Sequence, residues 1–289
     1  MKKAVQSVSQ VKEITKPEFE LEGFNPELLK ALHILTRDGQ LNQDSRRKLK
    51  QVKHLLQFIT PLLDQCKAAG LENISLVDHG AGKSYLGFML WNAWFAVHGG
   101  TVIGIEIREA LVQQSQALAQ QFGFQGMRFL NVAADQALAS RQLPERIDVV
   151  TALHACDSAT DDAIAFGLAR QTTHIVVVPC CQAEVASVLR LGKGAAMKKN
   201  ALSELWRHPL HTREFGAQIT NVMRCLRLEA SGYKVSVTEL VGWEHSMKNE
   251  LIVASRHPDV ARGKARTRLA EIIDEVGLKD VAGRFAVLD

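Results

Sequence analysis

The chain has 289 residues, 46% hydrophobic and 23% charged, an ordinary soluble globular composition long enough for one large α/β domain with an extension or for two small domains. Its formal net charge of +4 is mild and by itself names no partner. No run of 18 apolar residues predicts a membrane span, Met1-Lys2-Lys3-Ala4 opens no signal peptide, and five cysteines without a Cys-x-x-Cys pair point to reduced thiols in a cytoplasm and to no metal site.

Residues 1–70 read as a helical N-terminal extension. Residues 5–21 are mixed in character and broken by Pro17. Asn25-Pro26-Glu27 is a good helix start, with Asn as cap and Pro in the first turn, for a helix running to about Arg37 and stopped by Asp38-Gly39. Residues 45–69 form a longer helix with Leu49, Val52, Leu55, Leu56, Ile59, Leu62 and Leu63 on one face. Arg46, Arg47, Lys48, Lys50 and Lys53 crowd its first turns, where cations oppose the helix dipole. Two readings stay open for that cluster, an anionic partner or a solvated face.

Residues 74–83, Ile-Ser-Leu-Val-Asp-His-Gly-Ala-Gly-Lys, are a strand that ends in an acid and a glycine turn. An apolar, aromatic helix over 85–98 follows, so the unit is strand, Gly-rich loop, helix, as in nucleotide-type folds. Gly80 and Gly82 let the backbone turn tightly against a ligand. Gly82-Lys83-Ser84 resembles the end of a phosphate loop, but Val77 stands where that loop needs its first glycine, and Asp78 would repel phosphate. An acid at that place instead suits the ammonium of S-adenosylmethionine (SAM).

The second strand, 101–107, carries Glu106, 24 residues after Gly82, at the place of an acid that accepts hydrogen bonds from a ribose. A helix over 109–122 and a third strand over 127–132 lead to Asp135. The fourth strand, 147–153, ends in Leu153-His154-Ala155-Cys156-Asp157, at the edge where such folds do chemistry. Thr160, Asp161 and Asp162 read as caps of a helix over 161–170.

A fifth strand over 174–179 runs into Cys180-Cys181, small thiols that are commonly packing residues. Residues 183–232 are a basic helical stretch. Within it Trp206 and Phe215 are candidates for base stacking or core packing, Gly192-Lys193-Gly194 reads as a loop, and 221–228 is an apolar helix with Arg224 and Arg227 on its polar side. Alternation over 233–240 and a run over 250–255 predict a closing hairpin, with Glu244, His245 and Lys248 in its turn. The tail adds Arg262, Lys264, Arg266, Arg268 and an amphipathic helix over 269–276.

The Asp-x-Gly-x-Gly opening is that of class I SAM-dependent methyltransferases. One group of them is resembled more closely, through Gly-Ala-Gly-Lys-x-Tyr-Leu at 80–86, Leu-His-Ala-Cys-Asp at 153–157, Ala-Thr-Asp at 159–161, Pro-Cys-Cys at 179–181 and Lys248-Asn249. That group includes tRNA 2'-O-methyltransferases, the methyltransferase domain of certain glutathione-transferase-like fusions, and bacterial proteins that look closest. The likeness covers roughly residues 49–255. It implies an α/β, Rossmann-like, seven-stranded class I methyltransferase sheet over 71–257, behind the helical extension and before a basic helical tail over 258–289. It also implies SAM as cofactor.

On this reading Asp78, Gly80, Gly82 and Lys83 hold the methionine end of SAM, Glu106 the ribose and Asp135 the adenine, as an acid after the third strand does in methyltransferases. Leu153 and His154 border the cofactor. His154, Asp157, Lys50 and Lys248 are the candidate catalytic residues, one of them acting as base if the acceptor is a hydroxyl. RNA is the expected substrate, met by basic clusters at 46–53, 190–213 and 262–268. A protein or small-molecule acceptor, or a SAM- or nucleotide-binding module without catalysis, are the competing readings.

Overall fold

The computed structural model describes residues 23–153, 157–179, 182–191, 201–240 and 250–287. Seven strands form one sheet in the order β3-β2-β1-β4-β5-β7-β6. They are β1 (Ser75–His79), β2 (Thr101–Ile105), β3 (Met127–Leu130), β4 (Val149–Leu153), β5 (His174–Val178), β6 (Tyr233–Glu239) and β7 (Glu250–Arg256). The first five run parallel. β7 is antiparallel to both of its neighbours and lies between β5 and β6. β1 and β5 are buried along their whole length and β4 along nearly all of it. That is why these segments read as unbroken apolar runs, as expected of parallel strands covered on both faces. The order reverses between β1 and β4, the crevice in which open α/β sheets bind ligands.

One face of the sheet is covered by α1 (Pro26–Ala31), α2 (Gln43–Ala68), α3 (Tyr85–Leu90), α4 (Ala96–His98) and α5 (Glu109–Gln121). Leu55, Ile59, Phe88 and Trp91 pack there on Leu76, Val102 and Val149. The other face carries α6 (Ser158–Ala169) and α8 (Pro209–Ala230), with Ile164, Phe166 and Leu228 against Val77, Val150 and Ile175. A third cluster, around Leu189, Met223, Leu269 and Phe285, joins α8 to α7 (Ala183–Leu191), α9 (Arg262–Val276) and a closing 3-10 turn, Lys279–Phe285. Among the described residues no helix is long and apolar enough to cross a membrane.

Local chemistry explains the ends of several elements. The Asn25 side chain accepts from Glu27 N at 2.9 Å, and Asn42 caps α2 through Ser45 N at 2.8 Å. α1 stops at Ala31 rather than near Arg37. His33 turns to φ 57°, and Ile34 N and Leu35 N fold back onto the Leu29 carbonyl, which puts Leu28, Leu29, Leu32, Ile34 and Leu35 into the core together. The helix expected over 85–98 contains a π segment, Trp91–Phe95, between α3 and α4. The wider turn lets Trp91, Trp94 and Phe95 all bury, and Trp94 Nε1 reaches Asp64 on α2 at 2.8 Å.

Two expectations from the sequence are corrected. Arg224 and Arg227 are not on a polar side: they are 0% and 4% exposed, inside a helix that runs from Pro209 to Ala230. Asp161 is not a cap, because α6 begins three residues earlier at Ser158 and turns Asp161 inward to pair with Arg224 at 2.7 Å. Of the two readings left open for Trp206 and Phe215, packing is the one seen: half-buried, they lie against one another at 5.5 Å, and Trp206 Nε1 bonds the Leu189 carbonyl. Residues 5–21, Gly192–Gly194 with its lysines, and Glu244 and His245 lie outside the described residues.

Candidate functional site

The site begins at the tip of β1. Asp78 and His79 are 2% and 0% exposed and point to opposite faces of the sheet, as successive strand residues must. Among the described residues Asp78 accepts one hydrogen bond, from Thr151 Oγ1 on β4 at 2.7 Å. Burial pushes its pKa up to about 7, and the threonine only partly offsets that. His79 packs on Phe166 at 4.7 Å, and both of its ring nitrogens lack a hydrogen-bond partner. Burial pushes its imidazole down to about 4, so it is neutral at pH 7.

The loop after β1 turns through Gly80 and Gly82 at φ 66° and 58°, a region that glycine enters without strain. Ala81 N bonds the carbonyl of Ile105, which stitches the loop to β2. Ser84 follows at φ 53°, fully buried, with Oγ unpartnered. Lys83 is exposed beside it. A tight glycine turn beside a buried carboxylate whose one hydrogen bond among the described residues comes from Thr151 fits a ligand that presents a cation to Asp78.

Glu106 follows β2 and is 6% exposed. Its Oε1 accepts from Arg108 N and Nε at 3.0 and 2.9 Å. Its Oε2 accepts from Gly82 N and Arg108 Nη2 at 2.8 and 3.1 Å. Burial pushes its pKa up, but the bonds from Arg108 and Gly82 outweigh burial and hold the carboxyl below its usual range. These four bonds fill the lone-pair sites of a carboxylate. Ile107, between the two, is 68% exposed, an apolar platform at the ligand edge of the sheet that the sequence reading did not single out. An exposed branched side chain directly after the strand acid was the available signal.

The remaining predicted residues divide cleanly. Leu153 ends β4, half-buried, on the same edge as Asp78. Asp135 lies in the 3-10 turn Ala134–Ala139 after β3. Lys50 is exposed on α2. His154, Lys248, Cys180 and Cys181 fall outside the described residues. Asp157 opens α6 at φ 50°, ψ −119°, an uncommon backbone for a non-glycine residue. Its Oδ1 accepts from Ala183 N and Glu184 N at 3.2 and 3.4 Å, so it caps α7 rather than its own helix.

Above this edge stands a helix pair. Arg224 Nη2 donates to the carbonyl of Asp157, just past β4, and Asn221 Nδ2 to Glu250 at the start of β7. These contacts set that part of α8 level with the ligand edge. Pro209 lies twelve residues towards the other end of the helix, about 18 Å further out at 1.5 Å per residue. α7 runs antiparallel beside it. Gln182 meets Asn221 at 3.3 Å, Gly216 abuts Ala186, and Trp206 meets Leu189. The outer part of the pair carries Arg190, Arg207, His208, His211 and Arg213, all exposed or half-exposed.

A sheet of this order with one inserted antiparallel strand, and an acid and glycine loop after β1, is the architecture of class I methyltransferases. Residues 47–188 match the family model of a methyltransferase domain. The chain is therefore a methyltransferase enzyme, with SAM as its cofactor.

Solved structures resemble it at low identity. A precorrin-6y C5,15-methyltransferase from Geobacter metallireducens GS-15 is 16% identical with a TM-score of 0.39, over 64% of this chain and 81% of that one. An rRNA methylase from Streptococcus thermophilus is 11% identical with a TM-score of 0.39, over 65% and 90%. The N-terminal domain of human METTL16 in complex with SAH is 10% identical with a TM-score of 0.41, over 70% of each chain. A comparison with curated proteins gave no match.

The two neighbours at the β1 tip predict an unusual pH profile. Folded Asp78 keeps its proton up to about pH 7 and the unfolded chain only to about 3.8, so its stabilising effect is full below 3.8 and lost as pH rises through 7. Folded His79 takes a proton only near pH 4 and the unfolded chain near 6.5, so its effect is full above 6.5 and lost as pH falls through 4. Between about pH 4 and 6.5 the folded pair holds one proton on the acid, the unfolded pair one on the imidazole, and the two slopes cancel. Urea midpoints at pH 5 and 7 should show this. Relative to wild type, His79→Phe loses stability on going from pH 5 to 7, and Asp78→Asn loses it on going from 7 to 5.

Proposed function

We propose that this methyltransferase acts on RNA. SAM supplies an electrophilic methyl carbon and a thioether leaving group. Asp78 takes its ammonium, with Gly80, Gly82 and Lys83 around the methionine end. Glu106 takes the ribose hydroxyls, Ile107 lies under the adenine, and Asp135 accepts from the adenine amino group. Leu153 and His154 border the methyl carbon. The site would hold that carbon in line with the acceptor's lone pair, so that transfer would form the new bond as the carbon–sulfur bond is given up to the thioether. Alignment and exclusion of water carry most of the catalysis. For a hydroxyl acceptor the proton passes to a base, and His154, Asp157, Lys50 and Lys248 are the residues proposed for that step.

The observation that carries the RNA reading is the α7–α8 pair, which holds basic side chains above the ligand edge. Arg207 and Arg213 pair there with Glu204 and Glu214 at 3.1 Å. Exposed pairs of this kind contribute about 0–1 kcal/mol, so a phosphate readily replaces the glutamate. The exposed Arg46 and Arg47 of α2 and the first turns of α9 supply the other two clusters.

Three measurements test the scheme. Calorimetry should show SAM binding that Asp78→Ala abolishes, with ATP giving no heat; ATP binding in place of SAM would return the glycine loop to the phosphate reading. Arg108→Ala should tighten SAM about twofold to fivefold, because the guanidinium no longer competes for Glu106. Glu106→Gln should weaken it by about tenfold. Tritium from labelled SAM should enter total RNA, with RNA affinity falling steeply between low and moderate salt. Label that enters protein and not RNA would sink the RNA reading.

A further inference from the structure

We infer that Arg224 and Asn221 form a positioning node for the ligand edge, an inference that rests on the methyltransferase reading for its purpose. Arg224 is fully buried yet makes four hydrogen bonds. Nε and Nη2 hold the two oxygens of Asp161 at 2.8 and 2.7 Å. Nη2 also donates to the Asp157 carbonyl at 2.9 Å, and Nη1 to Asn221 Oδ1 at 3.1 Å. Asn221 passes the connection on. Its Oδ1 accepts from Gln182 Nε2 at 3.3 Å, and its Nδ2 donates to Glu250 Oε2 at 2.7 Å.

The three residues reached share one property. Asp157 follows β4 and opens α6, Gln182 follows β5 and precedes α7, and Glu250 opens β7. In the sequence Asp157 ends Leu-His-Ala-Cys-Asp, Gln182 directly follows Pro-Cys-Cys, and Glu250 directly follows Lys248-Asn249. One guanidinium and one amide thus tie Asp157, Gln182 and Glu250, from three distant parts of the chain, to one another.

Asp157 needs the support most. A non-glycine residue at φ 50° persists where its surroundings hold it there. Here its carbonyl is held by Arg224 and its Oδ1 by the first amides of α7. A buried ion pair is weak evidence for stability, since apolar residues of similar volume often replace one at no loss. Its geometric content is the stronger part. The planar fork of Arg224 bonds a carboxylate, a carbonyl and an amide at once, which a lysine ammonium on a flexible stem does not reproduce. Arg224 touches neither cofactor nor acceptor in this scheme, so it is a positioning residue. Displacements of about 1 Å at such a shell cost on the order of a hundredfold in rate.

The test separates holding geometry from holding the fold. The double variant Asp161→Leu with Arg224→Met replaces the ion pair by apolar side chains, and Arg224→Lys keeps the charge without the fork. Urea unfolding gives stability, and amide hydrogen exchange on the full chain reads the peptides containing Asp157, Gln182 to Glu184, and Glu250. The expected result is a double variant of near wild-type stability with exchange raised about tenfold or more at all three places, while β1 and β4 stay protected. Arg224→Lys should fail to restore Asp157. Wild-type exchange at these sites in the stable double variant overturns the inference.

If the double variant does not fold, Asn221→Ala decides. It should loosen the Gln182 and Glu250 peptides and spare Asp157, and no change at either, or equal change everywhere, overturns the node. With labelled SAM and total RNA, Asn221→Ala should lower kcat about tenfold or more at an unchanged KM for SAM. Exchange requires no substrate, so an inactive wild type would count against the proposed function and leave the node standing or falling on its own readout.

Discussion

At the tip of β1 an acid and an imidazole follow one another along the strand, both out of water, and among the described residues only the acid has a hydrogen bond, from Thr151. Ser84, two residues past Gly82 and fully buried, likewise has no partner for its Oγ among the described residues. Burial prefers the neutral form of the acid and of the imidazole, and neutrality is what lets two adjacent polar residues sit in the middle of a sheet. A cation arriving beside Asp78 reverses that preference on one side of the strand only, because His79 faces the opposite layer. The glycine turn, the stitch from Ala81 to Ile105 and the bond from Gly82 to Glu106 then tie this charge-sensitive point to the next strand. The first βα unit is accordingly both the deepest part of the fold and the part most ready to answer a ligand.

Glu106 is bonded mostly by its own neighbour in sequence. Arg108, two residues away, donates three of the four hydrogen bonds that Glu106 accepts. The pair is one-sided: the carboxylate is buried, and the guanidinium side chain is 65% exposed. Exchange of that arginine for a ligand needs no movement of backbone, only of a side chain already in solvent.

Much of the fold was readable because parallel strands leave a blunt signature, short unbroken apolar runs each followed by a polar residue. The acid after β1 and the acid after β2 stood out for that reason. What was missed depends on partners distant in sequence. Asp161 looks like a helix cap among Thr160 and Asp162, and only the arrival of α8, 63 residues later, makes it half of a buried ion pair. Arg224 and Arg227 were assigned to solvent by their charge, since periodicity does not reveal that a helix is enclosed by α6 on one side and α7 and α9 on the others. The π segment was hidden too, because three large aromatics in five residues satisfy an ordinary helical pattern until their volumes must fit beside Gly126 and Phe124.

The placement of β7 also bears on how the chain folds. β5 pairs with β4 on one side, and on its other side with a strand that begins 72 residues after β5 ends. Until that strand is in place, the first five strands present the β5 backbone as an open edge, His-Ile-Val-Val-Val, all of whose side chains are buried in the finished protein. Such an edge templates pairing with any extended chain nearby. β6 cannot close it, because β7 must enter first or together with it as a hairpin. Long-range pairing of this kind is slow. The interval between collapse of the N-terminal half and insertion of the hairpin is therefore when this molecule is most exposed to self-association, and the edge of β5 is the place where it would begin.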